Sequence, residues 1–223
     1  MVRNIIASAL LAAAAVSATP ILNEFALNIN GVVNVYDYSS YDDDPVSGID
    51  LEDYDFVTGL GTISVTLTAT ETGSYFIGMF SDLDFDAENY WDETGVAGDP
   101  VQGLTWEIDE PENVFGDIFT NLSTGTLDNT NALTAPEDVS VALGWNLDLL
   151  AGQEATVTFL ASTVLPKDGS FYLTQWSKDG NSAVYFSSAS SVPEPGTVVL
   201  MLTGLVAFGA MGIRRKRNPL LTL

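Results

Sequence analysis

Thr62-Ile63-Ser64-Val65-Thr66-Leu67-Thr68-Ala69-Thr70 alternates without a break. Ile63, Val65, Leu67 and Ala69 share one face, and Thr62, Ser64, Thr66, Thr68 and Thr70 share the other. A period of two with one polar face is the mark of a half-buried antiparallel strand. The same reading extends in both directions. Phe25, Leu27 and Ile29 alternate with polar neighbours, and Asn30-Gly31 is a hairpin turn before Val33 and Val35. Ser74 to Phe80 is apolar on both faces, as a central strand would be. Leu104 to Ile108 forms another strand, with Trp106 as a core anchor. Val139, Val141, Leu143, Trp145, Leu147 and Leu149 alternate over eleven residues, and the turn Ala151-Gly152-Gln153 leads into Thr156 to Leu160. Lys167-Asp168-Gly169 introduces Phe171 to Trp176, and Lys178-Asp179-Gly180-Asn181 introduces Ala183 to Phe186. Val114, Ile118 and Leu122 fit a short helix. Many short strands with almost no helix predict an all-β fold, an antiparallel β-sandwich of roughly eight to ten strands. Jelly-roll and immunoglobulin-like connectivities both fit.

The ends of the chain differ from this body. Arg3 precedes an apolar stretch from Ile5 to Val16, and Val16-Ser17-Ala18 has the small-residue pattern of a signal-peptidase site, so residues 1–18 are expected to be a signal peptide cleaved after Ala18. At the other end, Val192-Pro193-Glu194-Pro195-Gly196 is followed by an apolar run from Thr197 to Ile213 and then by Arg214-Arg215-Lys216-Arg217. The two prolines hold the chain extended. The run would reach about 25 Å as a helix, at the short limit for one transmembrane helix. The four cations act as a stop that keeps the far end inside the cell.

This tail closely resembles the PEP-CTERM sorting signal of exopolysaccharide-producing Gram-negative bacteria. Pro193, Glu194 and Pro195, the glycines of the span (Gly204, Gly209 and Gly212) and the basic cluster carry the resemblance. It implies recognition by an exosortase, processing near the Pro-Glu-Pro triplet, and delivery to the cell surface or extracellular matrix. The segment 218–223 after the basic cluster is longer than usual and reads as a cytoplasmic tail. The expected organisation is a signal peptide (1–18), a β-sandwich ectodomain (19–188), a Ser-rich linker (189–192) and a sorting signal (193–217) with its helix at 197–213.

Composition narrows the function classes. The chain has a formal charge of −23. The exported body, 19 to 193, keeps 29 of the 30 acidic residues and only Lys167 and Lys178 of the seven basic ones, a formal −27. Such a field repels phosphate backbones and excludes nucleic-acid partners. There is no Cys and no His. Disulfides, His-based zinc sites and Ser-His or Cys-His nucleophile pairs are therefore absent. Carboxylate chemistry remains open, and Glu107 and Asp109, two apart on one strand face, are the pair it would use. Surface charge is the ordinary meaning of such a pair, and the body is expected to be non-catalytic.

A cation is the best candidate ligand. Asp82, Asp84, Asp86, Glu88 and Glu93 stand at positions 1, 3, 5, 7 and 12 of a segment, a spacing that can wrap Ca²⁺. Ala87 replaces the usual Gly of the sharp turn, and the flanks read as strand, so this is not an EF-hand. A second acidic stretch runs over Asp42-Asp43-Asp44, Asp50, Glu52, Asp53 and Asp55. Tyr36, Tyr38, Tyr41, Tyr54, Tyr90 and Trp91 lie near these stretches in sequence and could stack on sugar rings of a matrix polysaccharide; the plain alternative is core and strand packing. A structural or adhesive surface protein is the resulting expectation, with a Ca²⁺-dependent carbohydrate-binding module or a carboxylate-dependent glycoside hydrolase as alternatives.

Overall fold

The alternating segment folds as an interior strand, Leu60–Thr68, of a seven-stranded sheet in the computed structural model, which describes residues 18–37, 46–86, 88–99, 101–111, 116–167 and 170–193. In chain order the strands are β1 (Ile21–Ile29), β2 (Val32–Asp37), β3 (Ile49–Asp50), β4 (Tyr54–Asp55), β5 (Leu60–Thr68), β6 (Gly73–Asp84), β7 (Thr94–Ala97), β8 (Leu104–Asp109), β9 (Ser140–Leu149), β10 (Glu154–Ser162), β11 (Leu173–Trp176) and β12 (Ala183–Ser191), with one helix, α1 (Ile118–Thr124), between β8 and β9. The larger sheet runs β3-β5-β10-β12-β11-β7, with β4 also paired to β5. Across β5 and β10, Val65 faces Val157 and Ile63 faces Phe159. On the outer surface Ser64 meets Thr158 and Thr66 meets Thr156 through hydroxyl contacts of 3.3 and 3.1 Å. These Thr–Thr and Ser–Thr pairs explain the polar half of the alternation.

The second sheet has five strands in the order β2-β1-β6-β9-β8. Asn30 and Gly31 both have positive φ (51° and 88°), the type I′ geometry that a two-residue hairpin between β1 and β2 demands. β6 is central, and it is buried from Tyr75 to Asp84. Tyr75, Ile77, Met79 and Leu83 pack into the core between the sheets, with Phe25, Ile63, Val65, Val141, Leu143, Val157, Phe159 and Phe186. Phe76 and Phe80, on the opposite face of β6, pack with Ala26, Ala142, Ile118, Leu122 and Leu127. α1 thus covers the outer face of this sheet. It ends at Gly125, whose φ of 71° lets its N–H reach the carbonyls of Asn121 and Leu122.

The fold class agrees with the sequence, and three details differ. The strand count rises to twelve because β3, β4 and β7 are pieces of two to four residues, too short for a periodicity. The helix occupies Ile118–Thr124, while Val114 lies outside the described residues. The expected linker at 189–192 is largely strand: Ala189, Ser190 and Ser191 pair with Thr158, Val157 and Thr156. Serine tolerates a half-exposed strand, so a Ser-rich composition did not mean a break. No helix among the described residues is long and apolar enough to cross a membrane, and the expected span at 197–213 lies outside them. So does the signal peptide apart from Ala18, whose backbone N–H donates to Ser182 Oγ at 2.7 Å.

Candidate functional site

Two adjacent register rows cross the outer face of the five-stranded sheet. In one, Ala26, Phe80 and Ala142 form an apolar floor under α1, with Glu107 at its β8 edge. In the next, Glu24, Asp82, Ser140 and Asp109 lie side by side on β1, β6, β9 and β8. The face therefore changes from apolar to acidic within one strand repeat.

At the acidic end Asp82, Asp84 and Asp138 converge, each with a carboxyl oxygen within 4.8 Å of the others. Asp82 and Asp84 are 7% and 4% exposed. Ser140 Oγ donates to Asp82 Oδ1 at 3.3 Å, and Asn23 Nδ2 donates to Asp84 Oδ2 at 2.6 Å. Asn23 reaches that position because the β1–β6 register shifts between Leu22 and Glu24, a bulge that re-aims its side chain. Asp84 Oδ1 and Asp138 Oδ1 are buried without a hydrogen-bond partner. Asp138 is held close by a backbone bridge, in which Glu93 and Glu137 exchange N–H···O bonds of 3.0 Å. Burial, reinforced by Asp138 and Asp84, pushes the Asp82 carboxyl well above its ordinary range. Burial also raises Asp84, against the lowering effect of Asn23. Asp138 rises to about 6, through burial and then the charge of Asp84. Among the described residues no Lys or Arg side chain lowers any of the three.

The five-residue loop set expected from the sequence does not come together. β6 continues as a strand through Asp84, so Asp82 and Asp84 project from its outer face together. Asp86 is exposed and closes a local turn, accepting from Glu88 N–H at 3.0 Å and Asn89 Nδ2 at 2.8 Å, while Glu88 is exposed. Glu93 is buried in another role. Its Oε1 accepts from Phe85 N–H at 2.8 Å, and its Oε2 accepts from Gln175 Nε2, which also donates to the Leu83 carbonyl. Glu93 thus ties the end of β6 to β11 across the two sheets, and burial raises its carboxyl to about 8. Asp138, distant in sequence, takes the place the loop acids were expected to fill. No local spacing could have pointed to it.

Glu107, Asp109 and Asp117 form a second close acidic group. The first two were expected to be surface charges and are buried instead, with Asn121 of α1 and Asp128 set against Glu107 and Asp117 set against Asp109. Each has protein donors. Glu107 accepts from Asn121 Nδ2 at 3.0 and 3.2 Å, and Asp109 accepts from the backbone N–H groups of Glu110 and Asp117 at 2.9 Å. This group fastens the helix to the sheet. In the other acidic stretch, Asp50 and Asp55 accept from the backbone N–H groups of Glu52 and Val57, and Asp42-Asp43-Asp44 lie outside the described residues.

The aromatic residues separate into two sets. Tyr36 and Tyr54 cluster with Phe25 and Phe56 at the core edge. Tyr90 and Trp91 stack with centroids 3.8 Å apart, and Trp91 is 57% exposed. Tyr38 and Tyr41 lie outside the described residues. Near Tyr90 and Trp91 in the chain, a cleft of about 450 Å³ is bordered by Phe85, Asp86, Asn89, Glu93 and an ion pair between Lys178 and Asp92.

Residues 191–217 match the PEP-CTERM protein-sorting motif. The match begins at Ser191, the last residue of β12, and includes Pro193, whose carbonyl accepts from Gln153 Nε2 at 3.1 Å. Pro193, Glu194, Pro195 and the basic cluster Arg214–Arg217 fall inside it. The motif implies export, processing by an exosortase, and sorting to the membrane or cell surface. No curated protein and no solved structure matches the chain.

Proposed function

We propose, from the premise that a PEP-CTERM sorting motif follows directly on this β-sandwich, that the sandwich is a non-catalytic structural or adhesive component of the cell surface or the exopolysaccharide matrix. The observation that carries the reading is the meeting of motif and fold at Ser191. Processing near Pro193–Pro195 leaves every described strand on the released side, so the sandwich is the cargo. Absence of His and Cys from the sequence, and the engagement of both Glu93 carboxyl oxygens by Phe85 and Gln175, support a body without catalysis.

A second reading, a carbohydrate-binding module, draws on the exposed Trp91 stacked against Tyr90. Such a platform suits the apolar face of a sugar ring. The test is to locate the protein with antibody in intact cells, extracted matrix and cell interior, and to incubate purified protein with the host's polysaccharide. Surface or matrix location without turnover of the polysaccharide is expected. Release of new chain ends would overturn the non-catalytic reading, and confinement to the cell interior would overturn the surface role. Loss of polysaccharide retention in Trp91→Ala, with folding intact, would favour the second reading.

A further inference from the structure

We propose that Asp82, Asp84 and Asp138 form a Ca²⁺ site at the acidic end of the five-stranded sheet. Two oxygens bound to one Ca²⁺ at about 2.4 Å lie no more than about 4.8 Å apart. The three carboxyl oxygens all lie within 4.8 Å of one another and so satisfy that limit. The second observation is independent of the clustering. Asp84 Oδ1 and Asp138 Oδ1 are buried and have no donor, and Asp84 is 4% exposed. A buried carboxylate oxygen without a partner is costly, and native folds rarely leave one.

The same sheet face supplies the comparison. Glu107 and Asp109 are as deeply buried, yet Asn121 and two backbone N–H groups satisfy them. Where the protein supplies its own donors no ion is needed. At Asp82, Asp84 and Asp138 it supplies Ser140 and Asn23, and two buried oxygens, Asp84 Oδ1 and Asp138 Oδ1, are left without a donor. Lys167 and Lys178 are the only cations of the body, and Lys178 is paired with Asp92.

Chemistry selects the ion. The three acids offer oxygen alone, which suits a hard cation and not one that prefers nitrogen or sulfur. Mg²⁺ dehydrates reluctantly and is usually held by one or two carboxylates with several waters, whereas Ca²⁺ accepts three carboxylates in irregular geometry. Export delivers the domain to where extracellular Ca²⁺ modules work, with dissociation constants of roughly 10⁻⁴–10⁻³ M. Bound there, the ion would join the end of β6 to the segment that enters β9. The bulge at Asn23 and the Glu93–Glu137 bridge already hold both in place.

The test uses the full chain, purified in detergent and stripped with EDTA, in calorimetric titrations and melting curves with CaCl₂ or MgCl₂. Saturable one-site Ca²⁺ binding is expected, with Tm rising by roughly 5–10 °C at a hundredfold excess over Kd. Asp84→Asn and Asp138→Asn should weaken Ca²⁺ at least as much as loss of an outer-sphere partner does, roughly 10- to 100-fold. Asp86→Asn and Glu88→Gln should bind as the unaltered protein does. Without Ca²⁺ the two Asn variants should melt no lower than the unaltered chain, since each removes a repelling charge; this separates lost binding from misfolding. Absence of Ca²⁺ binding, an equal response to Mg²⁺, or unchanged affinity in Asp138→Asn would overturn the site.

Discussion

Asn121, on α1, donates its side-chain amide to both carboxyl oxygens of Glu107, on β8, at 3.0 and 3.2 Å. This contact fixes a seven-residue helix, too short to be stable alone, onto the sheet it covers. The carboxylate is buried and has one further donor, the Asp128 N–H at 3.5 Å. Asn121→Ala is therefore expected to cost about 1.5–3 kcal/mol at pH 8, the range for a hydrogen bond to a charged group. Urea unfolding of the two proteins measures it. A loss below about 0.5 kcal/mol would mean that the helix is held by its apolar contacts alone.

The same acid makes stability depend on pH. Burial raises Glu107 from its ordinary 4.5 to about 7, against the lowering effect of Asn121. Between those values the native state keeps a proton that the unfolded chain has released. Stability must then fall as pH rises through this window, by at most about 1.4 kcal/mol per pH unit for one group. Glu107→Gln carries no such proton and should show a shallower decline between pH 5 and 8 in EDTA. Parallel stability–pH curves for the two proteins would sink this assignment.

Gly78 and Gly144 face each other across β6 and β9 and leave a flat floor for the ring of Phe76. A methyl group at Gly144 would lie 2.5 Å from two ring carbons of Phe76, and one at Gly78 would lie 2.9 Å from Leu122. Gly144→Ala should displace Phe76 and loosen α1, at about 1–3 kcal/mol. The alanine variant should also show faster amide exchange in residues 118–124. Unchanged exchange there would uncouple the glycine pair from the helix.

The sorting motif lies in the tail, at residues 191–217, and sorting is expected to depend on it. Replacing Pro193 and Pro195 by Ala should leave a longer, membrane-bound precursor, visible by immunoblot of cell fractions, with the melting temperature of the body unchanged. Normal release of mature protein would leave the apolar run as a plain anchor.

The parts of this molecule that were legible in its sequence are those governed by local periodicity. Alternation over Thr62–Thr70 and Val139–Leu149 reports which side of a strand is buried, and Asn30-Gly31 reports a turn geometry few other residues adopt. The C-terminal motif is likewise a matter of residue order, from Pro-Glu-Pro through the apolar run to the cations. Acidic side chains were harder to place. Alternate carboxylates on β6 and β8 look like a solvent face until α1 and the segment at Asp138 cover them.

What only the tertiary structure decided is which acids meet. Asp82 and Asp84 share a face by strand geometry, but Asp138 joins them through the Glu93–Glu137 bridge and the register of β6 against β9. The same tertiary contacts leave Asp86 and Glu88 in solvent and give Glu93 to Gln175. Spacing along a chain sets the direction of neighbouring side chains, because backbone geometry is local. The convergence of charges from separate strands depends on pairing register and packing, which no single segment encodes.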